Sequence, residues 1–524
     1  MFNKAPSLPS NMKHQFSQVP SANIRRSTFN RSHTVKSTFD AGNLVPFYID
    51  EALPGDTFSC KVDAFARLAT PIHPIMDNMR METFFFFVPN RLVWDNWEKF
   101  MGAQDDPGDS IDFTIPNVTF ASAGSNSVWD YMGIPINVAQ DINVLPFRAY
   151  NLIWNEWFRD QNLQNSVDVN NASDGPDLAT DYNLKKRGKR HDYFTSCLPW
   201  PQKFESVTLS LGTSAPIKGL GTIPPSTSWV GSSNTAYESD STIPTYDDYV
   251  DLNLRVERKG ATNYPDMRAD LTNATAVSVN DLRQAVAVQQ LNEIYARGGS
   301  RYTEVIKSHF NVDSPDARLQ RPEYLGGGSS PVNVSSVPQT SSTDATTPQG
   351  NLSAYGTALV HNHGFVKSFT EHGYVIGLVN VRADLTYQKG LDKLWMRETK
   401  NDFYWPTLSS IGEQAVLSKE IYMDGTSSDD DVFGYQERYA EYRYKNSMIT
   451  GLFRSAATGT LDPWHLSQNF STRPVLGTTF IEDDPPIDRA IAVPTEPHFL
   501  FDAYVQLKAA RPMPVYSTPG LAKL

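Results

Sequence analysis

A β-sandwich with enlarged inter-strand connections is the fold that this 524-residue chain predicts. Three observations point to it. Segments of strand length stand at both ends of the chain, at residues 44–50, 56–69, 80–89, 373–387 and 498–514. Proline (35), glycine (31) and aromatic residues (12%) are plentiful, which suits short strands joined by turns and long loops. Between the two groups of strands lie helical periodicity and long polar stretches.

Residues 1–43 read as a basic, extended N-terminal arm. They are rich in Ser, Pro and Asn, with isolated Phe16, Phe29 and Phe39, and show no periodicity. Up to Phe39 there is no acid, while Lys4, Lys13, Arg25, Arg26, Arg31 and Lys36 contribute +6. The tail, residues 503–524, repeats this with Lys508, Arg511 and Lys523. Basic ends of +6 and +3 on a chain of −12 leave the body at −21. An acidic body with basic ends suggests that the ends meet an anionic partner. In the arm, cations interleaved with phenylalanines match how single strands are held, through phosphates and base faces. The first 20 residues contain no apolar core of a leader, so no export signal is expected.

Residues 44–204 carry the first strands. "DTFSCKVDAFARLA" alternates at Phe58, Cys60, Val62 and Ala64, the pattern of a half-buried strand. "RMETFFFFVPNRLVWDNW" does not alternate. Phe84, Phe85, Phe86 and Phe87 would make both faces of a strand apolar, so protein must cover both, either the same chain or a neighbouring copy. A membrane span needs roughly 20 apolar residues, and Arg80, Glu82 and Arg91 interrupt this one. Helical spacing follows, first at Val93, Trp97, Phe100 and Met101, near Trp94, then at Phe147, Tyr150, Ile153, Trp154, Trp157 and Phe158 behind Pro146. These aromatics are expected in the core or at contacts between copies.

Residues 205–277 are a long polar stretch with Trp229, Tyr237, Tyr246, Tyr249 and Tyr264, read as an insertion outside the main body. Residues 278–502 restart with a helix near Asn280, opened by the capping-box-like "SVND" and stopped at Gly298–Gly299. A short helix, "RYTEVIKSHF", comes next. Residues 326–349 are low in complexity and read as a linker or a surface-hugging segment. The two cysteines, Cys60 and Cys197, build no disulfide framework, which points to folding in a reducing compartment.

Chemistry is sparse. There is no P-loop, G-x-S-x-G, H-E-x-x-H or C-x-x-C. His361 and His363, with His372 nearby, could share a strand face as metal ligands or be ordinary polar residues. "SSDDDVFG" and "EDDPP" are acidic but lack EF-hand spacing. "KKRGKR", residues 185–190, is either a phosphate-binding run or a solvated loop. No catalytic residue, metal site or cofactor is expected. A secreted carbohydrate-binding β-sandwich or glycosidase is the alternative, but it would usually carry an export signal. A plain single-strand binding protein would leave most of the chain without a role.

"RMETFFFFVPNRLVWDNWEKFMG", "FRAYNLIWNEWFRDQNLQ", "KRHDYFTSCLPWPQK", "RGGSRYTEVIKSHFNV", "RPEYLGGGSSPVNVSSVPQTSS" and "ERYAEYRYKNSMITGLFR" resemble, in this order, the major capsid protein of the gokushoviruses, single-stranded DNA bacteriophages of the Microviridae. The resemblance implies an eight-stranded viral jelly roll with large insertions. It implies self-assembly into a small icosahedral virion shell, one chain per asymmetric unit, around circular single-stranded DNA. Assembly would take place in the host bacterial cytoplasm, with other phage structural proteins as partners and no membrane insertion. The resemblance also implies that the variable insertion forms threefold protrusions that meet a receptor on the bacterial host surface, and that the basic ends face the genome.

Overall fold

Nine strands fill eight positions of one curled antiparallel sheet in the computed structural model of the chain. The structure describes residues 24–207 and 279–516, apart from 121–123, 314–315, 317, 342 and 344–347, together with the backbone of four short strand segments between 217 and 269. The chain divides into two units, Met1–Pro199 with Pro315–Leu524, and Trp200–Ser314.

The strands of the first unit are β1 (Ser27–Asn30), β2 (His33–Phe39), β3 (Val45–Ala52), β4 (Thr57–Leu68), β5 (Met79–Pro89), β6 (Glu323–Pro338), β7 (Leu352–Ser368), β8 (Gly373–Ala383) and β9 (Phe499–Arg511). β1 and β2 lie end to end along β9 and share one position. The rest is a set of nested returns: β3 pairs with β8, β4 with β7 and β5 with β6. The β9–β4 and β8–β5 ladders assemble these pairs into two sheets, β1/β2–β9–β4–β7 and β3–β8–β5–β6. β6 also pairs with β7 and joins the two. First with last, second with next to last, and so inward, is the order of a jelly roll. The expected eight-stranded jelly roll is the observed fold.

Alternation builds the interior. On β4, Phe58, Cys60, Val62, Ala64, Ala66 and Leu68 point inward, and β9 mirrors them with Phe499, Phe501, Ala503, Val505 and Leu507. The phenylalanine strand serves two cores at once. Phe85 and Phe87 enter the jelly-roll interior. Phe86 and Val88 point the other way, with Ile376 and Leu378 of β8, into a second core closed by residues 93–182. The cover on both faces is the chain's own. Phe84 is half-buried, against Phe158 and Tyr324. Trp94, Trp97 and Trp154 are buried, but Trp157 is 41% exposed. Its indole N–H donates to the Pro322 carbonyl at 2.8 Å, and its ring leans on Phe86.

Several expectations need correction. Residues 326–338 are no linker, because Glu323–Pro338 is a sheet strand paired with β5 over Glu323–Val332 and with β7 over Val332–Pro338. Its glycines permit close approach of the neighbouring backbones. A Cβ on Gly327 would lie 2.0 Å from the Thr83 carbonyl oxygen, and one on Gly326 2.5 Å from that of Gly364. Residues 27–39, read as arm, are edge strands on β9. The helical spacing after Arg91 yields only a 3-10 turn, Asn90–Leu92, and the four-residue helix Trp97–Phe100. That after Pro146 yields the helix Leu145–Ile153, which runs on as a π-turn, Trp154–Phe158. The last two strands are shorter than expected, ending at Ala383 and Arg511.

Tyr193, Phe194, Val416, Ile421, Phe433 and Phe480 belong to a third core, formed largely by the connection between β8 and β9. In the second unit the expected helix runs Val279–Arg297 and is followed by Tyr302–Phe310. This unit extends beyond the 205–277 insertion at both ends, because the helices belong to it.

Candidate nucleic-acid interface

β4 and β9 bury alternate residues and turn the others to solvent. The solvent side of such a strand is normally small and polar. Here it carries Lys61, Phe65 and Arg67 from β4, and Leu500, Tyr504 and Lys508 from β9. Strand register sets them in rows. Lys36, Asp502, Phe65 and Leu359 stand side by side, and Thr38, Leu500, Arg67 and Thr357 form the next row. Phe65 is 47% exposed, Tyr504 45% and Leu359 69%.

The charges on this face differ in their engagement. Asp63 accepts from the Gln506 side chain at 2.8 Å and from the Asn362 N–H at 3.0 Å, and the His361 ring lies 2.6 Å away. Asp502 is 3.5 Å from Lys36, with both side chains exposed. Lys61, Arg67 and Lys508 form no ion pair with the described residues. Cations without an ion pair among the described residues, beside exposed rings on a sheet face, can hold phosphates and stack bases without reading sequence.

The basic residues picked out from the sequence fall into three groups. Lys4, Lys13 and Lys523 lie outside the described residues, as do Trp229, Tyr237, Tyr246, Tyr249 and Tyr264. Arg25, Lys36 and Lys508 are exposed, and Arg26 donates to the Thr57 hydroxyl at 2.9 Å. Arg31 and Arg511 are committed within the fold. Arg31 pairs with Asp50 at 2.5 Å. Arg511 donates to the Glu51 carbonyl at 2.8 Å, approaches Asp56 to 3.4 Å and lies over the Phe58 ring. Lys61, Phe65, Arg67 and Tyr504 were missed. Their signal was a phenylalanine and two cations on the polar side of an alternating strand.

The "KKRGKR" run is also committed. Arg187 pairs with Glu82 and lies over Phe84, 4.6 Å from the ring centre. Arg190 reaches Asp384 at 3.1 Å, and Lys186 reaches Asp484 at 2.9 Å. Burial raises the Glu82 carboxyl, but Arg187 and Arg382 outweigh that and hold it below its ordinary value. Lys189 is buried over Phe480 and donates to Gln468 at 2.9 Å; burial lowers its ammonium to about 8 despite nearby Asp483. Burial in turn pushes the Asp483 carboxyl up to about 7, against the pull of Arg382, Lys189 and Arg187.

His361 and His363 do not share a face. A bulge at Asn362 (φ 59°) separates them. His361 points to solvent, and His363 is buried between the Thr83 and Ser330 hydroxyls, at 2.8 and 3.3 Å. In the acidic loop of residues 424–431, Arg473 bridges Asp424 and Asp429, at 2.8 and 3.0 Å. Among the described residues no group of three or more His, Cys, Asp or Glu is placed to hold a metal ion, and no helix is long and apolar enough to cross a membrane.

Double-sheet jelly rolls of eight strands serve viral capsid proteins as well as lectins and cupins, and here the inter-strand connections have grown into further cores. The chain belongs to the capsid protein (F protein) family, whose model matches residues 17–521. It is similar to the capsid protein VP1 of Bdellovibrio phage phiMH2K, 48% identical over 97% of this chain and 98% of that protein. It is also similar to the capsid protein VP1 of Chlamydia phage 1, 45% identical over 99% of this chain and 100% of that protein, and to that of Spiroplasma virus 4, 37% identical over 98% of each. The resemblance carried by the six motifs is thereby borne out. The chain is a structural capsid protein.

Proposed function

We propose that copies of this chain close into a small icosahedral shell around single-stranded DNA, with the β1/β2–β9–β4–β7 face turned to the genome. The observation that carries the shell is end-to-end similarity to capsid proteins. The observation that carries the orientation is the bare face with Lys36, Lys61, Arg67 and Lys508 among Phe65 and Tyr504. Residues 1–23 and 517–524 add Lys4, Lys13 and Lys523 and no acid, so they suit the same side. The segment 205–277, polar and carrying five Trp and Tyr rings, suits contact with the host surface. The resulting particle is a virion, assembled in the host cytoplasm with other phage proteins.

The test is expression of the full chain alone, with negative-stain imaging and sedimentation. Uniform icosahedral shells that retain single-stranded DNA support the reading. Only monomers under all assembly conditions, or shells that take up no DNA, count against it. Replacing residues 213–270 by a short Gly/Ser linker tests the insertion: well-formed shells that still adsorb to host cells would overturn an attachment role.

A further inference from the structure

On the bare sheet face lies a recess of about 690 Å³, between β2, β4, β9 and the turn of residues 126–133. Its size is that of a small-ligand site, roughly 300–1,000 Å³. Phe65 and Leu500 offer it an apolar surface, and both are about half exposed. Arg67 lines it and pairs with no carboxylate among the described residues. Lys36 stands at its side, with exposed Asp502 its one ion-pair partner among the described residues, at 3.5 Å.

The polar wall is ordered. Tyr131 donates its hydroxyl to the Thr38 carbonyl at 2.9 Å, which fixes the turn against β2. The Asn126 side-chain oxygen lies 3.5 Å from the Thr38 hydroxyl and 3.4 Å from that of Tyr131. Its amide NH₂ has no partner among the described residues and can donate to an acceptor on a base edge. Asp130 is occupied by the Asn126 backbone N–H, at 3.1 Å. An apolar surface with a ring, a free amide donor and a free guanidinium form the set that a nucleotide needs.

We propose that this recess takes one nucleotide of a DNA single strand, the base against Phe65 and Leu500 and the phosphate between Arg67 and Lys36. The proposal rests on the reading of this face as genome-facing, and it names where on the face a base leaves the strand. The base is held through its ring face and a common acceptor, so the site tolerates any sequence.

The test uses the full-length chain and a short oligo(dT). In assembled particles, DNA substituted with 5-iodouracil is irradiated and the cross-linked peptides are mapped by mass spectrometry. The main cross-link is expected within residues 57–68. In solution, Phe65→Ala should weaken oligo(dT) binding about tenfold, within the range for loss of one base–aromatic stack, with the salt dependence unchanged. Arg67→Gln should lower the slope of log affinity against log salt by about 0.7, the value for one single-strand phosphate contact. An oligonucleotide of abasic sites should bind wild type and Phe65→Ala alike. Lys61→Gln, on the same face but outside the recess, should lower the salt slope without changing the difference between oligo(dT) and the abasic oligonucleotide. If Lys61→Gln weakens binding while Phe65→Ala and Arg67→Gln do not, the face binds DNA but the recess holds no nucleotide. If none of the three matters and no cross-link falls on this face, the genome-facing reading itself fails. If Phe65→Ala blocks assembly but leaves oligo(dT) binding intact, a neighbouring subunit fills the recess and the proposal is overturned.

Discussion

Arg148 and Asp177 form a paired, fully buried double bridge, with Nε to Oδ2 at 2.9 Å and Nη2 to Oδ1 at 2.7 Å. The guanidinium also donates to the carbonyls of Val93 and Ser173, and Tyr182 donates to Asp177. One ion pair thus ties the helix Leu145–Ile153 to the loops that close the second core. Removing one partner strands the other charge in the interior. Asp177→Asn should cost about 3–5 kcal/mol, read as a lower denaturation midpoint. An unchanged midpoint would mean that the bridge contributes little.

Phe86 is 1% exposed and points into the second core. Phe86→Ala should cost about 3–5 kcal/mol, and Phe86→Asp should leave no soluble chain, since its charge would have no partner. The cover over Phe86 belongs to the same chain, so the loss should show in unassembled subunits. Normal subunits that fail only to assemble would place the defect between copies instead.

His363 should make the jelly roll sensitive to acid. Burial lowers its imidazole below the ordinary 6.5. The unfolded chain therefore takes up a proton first as pH falls. Stability present above 6.5 is lost as pH drops through that value toward the lowered one. Measured from pH 8 to 5, the unfolding midpoint should fall relative to that of His363→Asn, while Asp483, raised by burial, pushes the other way in both chains; the substitution should flatten the acid-linked loss. It should not abolish it, because burial and then Arg489 lower His465 as well.

Cys60 and Cys197 are buried thiols that are not joined in a disulfide. Burial pushes the Cys60 thiol up to about 12, with Asp50 adding to the shift. The thiolate is the reactive form. A maleimide should label neither cysteine in the native chain and both in denaturant. Rapid native labelling of Cys60 would show that the sheet opens there.

Arg187 serves stability in a run that looks made for phosphate. Arg187→Gln frees Glu82 of one partner and uncovers Phe84, at a cost of about 3 kcal/mol. The salt dependence of single-strand binding should stay as in wild type. A smaller salt slope would return this run to the genome side.

Alternation marks β4 and β9, because a strand with one buried face writes apolar residues at every second position, whereas β8, buried on both faces, shows as a nearly continuous apolar run. The apolar pattern also showed that β5 must be covered on both faces. It missed β6, since "GGGSS" writes no side-chain pattern and its pairing rests on backbone groups that every residue has. For the candidate interface, Lys36 and Lys508 were legible as basic residues. Arg31 and Arg511 stand opposite Asp50 and Asp56, which charge alone does not reveal.

The sequence by itself determined the class. Alternation, a double-faced phenylalanine strand and six long motifs in order suffice for a capsid-family jelly roll. Only the tertiary structure decided which cations are free and which are spent, and that Phe65 and Arg67 share a recess with Leu500. The reason is physical. Local pattern is set by neighbours one or two residues away, whereas β9 reaches β4 only after the whole chain has folded back, and the register of that late pairing chooses the partners.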